Sequence, residues 1–165
     1  MSVAERLSEL GLQLPSTAAP VGAYVPAVRT GAYVWTSGQL PFVSGGLTVT
    51  GLVGLAPGQV PPPVATEQAR IAALNALAAV GNLLAGPGGD PVAALEHVVR
   101  VVKLVGFVAS EPTFTGQPAV VNGASELLHQ VLGEAGVHAR SAVGVAVLPM
   151  GSPVEVELVV EVAGA

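Results

Sequence analysis

The sequence predicts an α+β fold in which a single β-sheet carries two helices on one face. Three observations predict it. Residues 64–84 and 120–132 repeat apolar side chains at helical steps of three and four, and residues 98–108 form a β-branched run. The last apolar segment alternates, with Val154, Val156, Leu158, Val160 and Val162 on one side and Glu155, Glu157 and Glu161 on the other. Two long helices are enough to cover one sheet face, which leaves the glutamates facing water, a cleft or a partner subunit.

Each element has its own signal. Ser2 followed by Glu5 fits a capping box that opens a short helix, and Gly11 ends it. Pro15 to Ala27 is an extended stretch marked by Pro and Gly. Val34-Trp35-Thr36-Ser37 reads as a strand stopped at Gly38. Residues 41–63 are turn-rich and poor in charge, a loop or irregular hairpin closing on Pro61-Pro62-Pro63. Ile71, Leu74, Leu77, Val80 and Leu84 form the stripe of the first long helix, which Gly86-Pro87-Gly88-Gly89 terminates. Val98 to Val108 is a strand interrupted by Arg100 and Lys103. In the second long helix Val120, Val121, Ala124, Leu127, Leu128, Val131 and Leu132 form the apolar stripe, with Gly133 or Gly136 as its end. Ser141 to Val147 is a strand with valines on one face and Ala142, Gly144 and Ala146 on the other, room for a close neighbour. Residues 1–14 read as a helical N-terminal extension and 15–165 as one domain.

Composition narrows the function classes. The 165 residues are 51% hydrophobic and only 10% charged, with a net charge of −5. An ordinary soluble domain is about a quarter charged, so this deficit points to a buried oligomer interface. The acidity and the absence of any Lys/Arg cluster argue against binding nucleic acid. With no cysteine, disulfides and thiolate chemistry are excluded. Met1 to Leu10 lacks the apolar core of a signal peptide, and no segment reads as a membrane span, so the expected location is cytoplasmic. His97, His129 and His138 lack metal-ligand spacing and read as structural.

Arg140 is the residue that singles out a site. It is one of six cationic side chains and stands at the entrance of an apolar strand, where burial without an anionic partner is costly. Glu155 and Glu157 follow on the next strand, so a cationic anchor and an acid/base group are expected on one sheet. Arg140 could instead form an interfacial ion pair with either glutamate, and both glutamates could be a solvated strand face.

The combination Ala139-Arg140-Ser141, Leu148-Pro149 and Val154-Glu155-Val156-Glu157 resembles the signature of the RidA/YjgF family, the reactive intermediate deaminases also labelled L-PSP endoribonucleases. Tyr24-Val25 and Thr36-Ser37-Gly38-Gln39-Leu40-Pro41 are similar to the family's first strands, and Asn122 falls at its second-helix position. The resemblance spans about Pro15 to Val162. It implies a chorismate-mutase-like homotrimer with a central β-barrel and clefts between subunits for small carboxylates. It also implies that Arg140 binds the substrate carboxylate, that Glu155 positions the hydrolytic water, and that Tyr24, Ser37, Gly38 and Asn122 line the cleft. The implied reaction is hydrolysis of 2-imino acids or their enamines to 2-keto acids and ammonia, with no metal or cofactor. The chain departs from many of those deaminases at Ala142, where they have a cysteine, and in its longer N-terminus and 41–63 loop. An imine deaminase and a non-catalytic sensor of a small carboxylate both fit these residues; an endoribonuclease fits the acidity poorly.

Overall fold

A computed structural model of the chain describes residues 1–16 and 23–164; the expected extended stretch from Pro15 to Ala27 therefore lies partly outside the described residues. Helix α1, Val3–Glu9, has the capping box expected of it: Glu5 N–H donates to Ser2 Oγ and Ser2 N–H to the Glu5 carboxylate. Gly11, at φ +64°, ends it, and Leu12 N–H returns to Leu7 O at 2.9 Å. Val3 and Leu7 are buried in the same core as the rest of the chain.

The sheet holds β1 (Ala27–Thr30), β2 (Tyr33–Thr36), β5 (Val98–Ala109), β6 (Ala139–Val145) and β7 (Val154–Val162) in the order β1-β2-β7-β5-β6. All pairings are antiparallel except β5 with β6. Two parallel neighbours need a crossover, and α4 (Gln117–Leu132) is that connection. The irregular 41–63 segment contains a small hairpin, β3 (Phe42–Val43) and β4 (Gly46–Leu47), before α2 (Pro62–Ala85) begins. A short helix α3, Pro91–Ala94, capped by the Asp90 carboxylate, leads into β5.

The strict alternation expected of β7 is present, with residues 154, 156, 158, 160 and 162 all buried. The α4 stripe is also as expected, with Leu132 only partly buried. The stripe read for α2 is incomplete. Ile71 and Leu74 are only half-buried, while Ala65, Ala69, Ala72, Ala73, Ala76 and Ala79 are buried. Alanine carries this face because small side chains let the backbones approach closely. At the α2–α4 contact, a Cβ on Gly123 would collide with Thr66 O, and on the sheet a Cβ on Gly106 would lie 2.6 Å from Val121. These two glycines seat α4 low over β5 and β6. The small-residue face of β6 is accordingly approached by α4 itself, whose Gln117 amide lies against Gly144.

Among the described residues no helix covers the opposite sheet face. Val28, Tyr33, Trp35 and Val143 stand on it with 43–52% of their surface exposed. Among the described residues no helix is long and apolar enough to cross a membrane.

Candidate functional site

Register decides where the candidate residues point. Arg140 on β6 lies opposite Leu104 of β5, which in turn lies opposite Leu158 of β7. Leu104 and Leu158 are buried under the helices, so Arg140 shares the helix-covered face. Phe107 lies opposite both Val143 and Glu155, which puts Glu155 on the uncovered face. The cation and the carboxylate do stand on one sheet, as expected, but on opposite faces and with β5 between their strands.

On its own face Arg140 is gathered in by α4. Nη1 donates to Asn122 Oδ1 at 2.8 Å and to Ser125 Oγ at 3.1 Å, and Nη2 donates to Pro118 O at 3.2 Å. Residues 118, 122 and 125 recur at helical spacing, so one face of one helix supplies all three acceptors. All three are neutral. The partner expected for this guanidinium was anionic, and the ion pair with Glu155 or Glu157 does not form within the chain because those side chains face the other way. A guanidinium has five N–H donors. Among the described residues three are used, leaving the Nε–H and one Nη2–H on nitrogens bonded to the same carbon, the arrangement that grips a carboxylate in two places. Beside them opens a cleft of about 370 Å³ lined by Asn122, Ser125, His129, His138 and Arg140.

The second group of residues forms around the start of β7. Gln39 and Val156 exchange backbone hydrogen bonds at 2.8 and 3.0 Å, which lays the 37–39 segment along β7. Gly38 leaves the space in which the Glu155 carboxylate lies: a Cβ there would collide with Glu155 Oε1. Burial, and secondly the charge of Glu157, push the Glu155 carboxyl above the ordinary carboxylate range. Ser37 turns its hydroxyl back to Val25 O at 2.7 Å, and its N–H to Pro26 O at 2.8 Å, tying down the strand entry next to Tyr24. The Tyr24 side chain is exposed in the protomer, with 54% of its surface free. The buried Asn75 amide holds the following turn by donating to Leu40 O and Phe42 O.

The six candidate residues thus divide in two: Arg140 with Asn122, and Glu155 with Gly38, Ser37 and, beyond it, Tyr24. Three polar side chains lining the cation cleft were not picked out from sequence as site residues. Ser125 carries no motif signal of its own, and His129 and His138 read as structural; that Ser125 and His138 meet beside Arg140 follows from α4 lying over β6, which no local pattern announces. Among the described residues no group of His, Asp or Glu side chains is placed to hold a metal ion.

The comparisons with known proteins agree with this architecture. A family model described as "YjgF/chorismate_mutase-like, putative endoribonuclease" matches residues 4–162. The Trypanosoma cruzi protein TCP17 is 44% identical over 160 residues, covering 96% of this chain and 93% of that protein. The crystal structure of Atu1372 from Agrobacterium tumefaciens superposes with a TM-score of 0.83 at 43% identity, over 98% of this chain and 92% of that one. The YjgF gene product of Escherichia coli gives a TM-score of 0.52 at 30% identity, over 90% and 94% of the two chains. With the family model spanning nearly the whole length and a relative 44% identical over 96% of the chain, the chain belongs to the YjgF/chorismate mutase-like family.

Proposed function

We propose that the protein hydrolyses small 2-imino acids, or their enamine tautomers, to 2-keto acids and ammonia. The clefts form where the Arg140 surface of one subunit meets the Glu155 surface of the next in a homotrimer. The observation that carries this reading is the guanidinium of Arg140, held by three neutral acceptors with two adjacent N–H groups left for a ligand. A cation ordered in this way without a counter-ion is a receptor for a carboxylate.

The chemistry needs little more. Arg140 fixes the substrate by its carboxylate and so orients the imine carbon. Glu155 takes a proton from a water molecule as the water oxygen bonds to that carbon, giving a carbinolamine. With the imine nitrogen already protonated as an iminium, Glu155 returns that proton to the carbinolamine nitrogen, accepts the hydroxyl proton as the C–N bond breaks, and releases it to solvent, leaving ammonia and the keto acid. A carboxylate whose pKa is raised by burial is a better proton acceptor near neutrality than an ordinary one. Because Arg140 and Glu155 face apart in one protomer, the reading requires assembly. The exposed Val28, Tyr33, Trp35 and Val143 supply an apolar sheet face for it. A stable monomer at micromolar concentration in sedimentation would overturn the shared cleft.

The direct test is release of ammonia or keto acid from enzymatically generated imines by wild type and by Arg140→Ala. Turnover by wild type alone supports the deaminase. The same separation of Arg140 from Glu155 favours a second reading, a module that binds a small carboxylate without turning it over. Binding of 2-oxobutanoate without hydrolysis of any imine would establish that one.

A further inference from the structure

Arg140 is held from behind by a hydrogen-bond chain that hydrolysis does not use. His138 precedes Arg140 by two residues and is half-buried against α4. Its Nδ1 lies 2.6 Å from Gly136 O, and since a carbonyl only accepts, Nδ1 carries the ring proton. Gly136 is itself pressed against the backbone of Leu128 and His129, where a Cβ would not fit, so this acceptor does not move away. In the neutral ring Nε2 has only a lone pair, and its partner at 3.0 Å, Ser125 Oγ, must donate to it. The hydroxyl hydrogen is thereby committed to His138, and the oxygen lone pairs face Arg140 Nη1 at 3.1 Å. One fixed proton sets the direction of three hydrogen bonds in series. Burial above all, then the charge of Arg140, holds the imidazole below its ordinary pKa and so in the neutral form, against the opposing effect of the Gly136 bond.

We infer that His138 is a positioning residue for the Arg140 anion site: through Ser125 it orients the guanidinium so that Nε–H and the remaining Nη2–H face the cleft for a carboxylate. This rests on the reading of Arg140 as a carboxylate anchor. Without the ring, the Ser125 hydroxyl is free to turn its hydrogen toward Nη1, where it opposes the guanidinium instead of accepting from it. Arg140 then keeps its charge but loses one of the three contacts that fix its plane.

The test measures 2-oxobutanoate affinity by calorimetry, with melting temperature alongside. His138→Ala and His138→Asn are expected to weaken binding about three- to tenfold, because neither places an acceptor where Nε2 stands. His138→Gln, whose amide oxygen reaches that position, is expected to stay within about threefold of wild type. Ser125→Ala should match His138→Ala, and the double variant should be no worse than either single one, as expected of two groups in one series. Equal affinity in all His138 variants with binding abolished by Arg140→Ala would overturn the inference and leave the anchor standing. Losses that follow the melting temperature and are not rescued by Gln would reduce His138 to a structural part, which also overturns it. Binding that survives Arg140→Ala would remove the anchor and this inference together.

Discussion

The two halves of the candidate site solve opposite problems. The Arg140 half is a cation whose position is settled: three acceptors from α4 hold it and an open cleft lies before it. The Glu155 half is an anion set against bare backbone at Gly38, half-withdrawn from water and raised in pKa by burial and by Glu157. A cation with spare donors is ready to receive a ligand, whereas a carboxylate short of solvation is ready to receive a proton. On the proposed reading, binding and proton transfer fall to different places in the protomer, since Arg140 and Glu155 stand on opposite faces of the sheet.

That division can be broken from either side. Arg140→Ala should have the largest effect, weakening 2-oxobutanoate binding about 100-fold or more while the assembly stays folded; Arg140→Lys should recover little, since an ammonium lacks the two-pronged geometry. Calorimetry with light scattering on the same samples reads both, and dissociation of the assembly in both variants would mean that the arginine serves an interface. Glu155→Gln should leave binding in place and lower imine turnover by roughly 100-fold, because an amide can orient water but cannot accept its proton. Glu157→Gln, on the same strand face, is the companion variant: a larger loss there than in Glu155→Gln would move the base by two residues.

Gly38→Ala sharpens the contrast, because the added methyl must displace the Glu155 carboxylate without touching α4 or β6. Turnover should drop by roughly ten- to 100-fold with carboxylate affinity unchanged within about twofold. Parallel losses in both would mean that the halves are not separate. The smallest effect is on stability. A carboxyl with a raised folded-state pKa holds its proton longer in the native than in the unfolded chain. Its contribution is therefore full below the unfolded value and is lost as pH rises through the folded one. In denaturant titrations across that window, wild type should lose stability relative to Glu155→Gln as the pH increases; a constant difference would show the carboxyl to be solvated.

Much of this molecule was legible in its sequence. The alternation from Val154 to Val162 assigned every side chain of β7 to its face, because parity within one strand is a local property. The α4 stripe and the Ser2–Glu5 cap were readable for the same reason. Strand β1 was not, since four residues beside Pro26 and Gly31 carry no periodic signal. The buried alanines of α2 were passed over in favour of larger apolar residues, although their smallness is what brings α2 close to α4. At the site, Arg140, Asn122, Glu155 and Gly38 were visible as residue types in a motif. Whether Arg140 and Glu155 share a face was not, because that depends on the registers of β6 and β7 against β5, and the sequence of neither strand contains them.

The parallel pairing of β5 with β6 has one further consequence. Arg140 and everything that holds it, from Pro118 to His138, come from a single uninterrupted stretch of chain, the crossover from β5 through α4 to β6. The carboxylate surface is pieced together from Ser37 and Gly38 near one end of the sequence and Glu155 near the other. Mutations therefore reach the two parts independently. If the proposed reading holds, a substitution among the first forty residues can disable the carboxylate half while leaving the arginine half as it is.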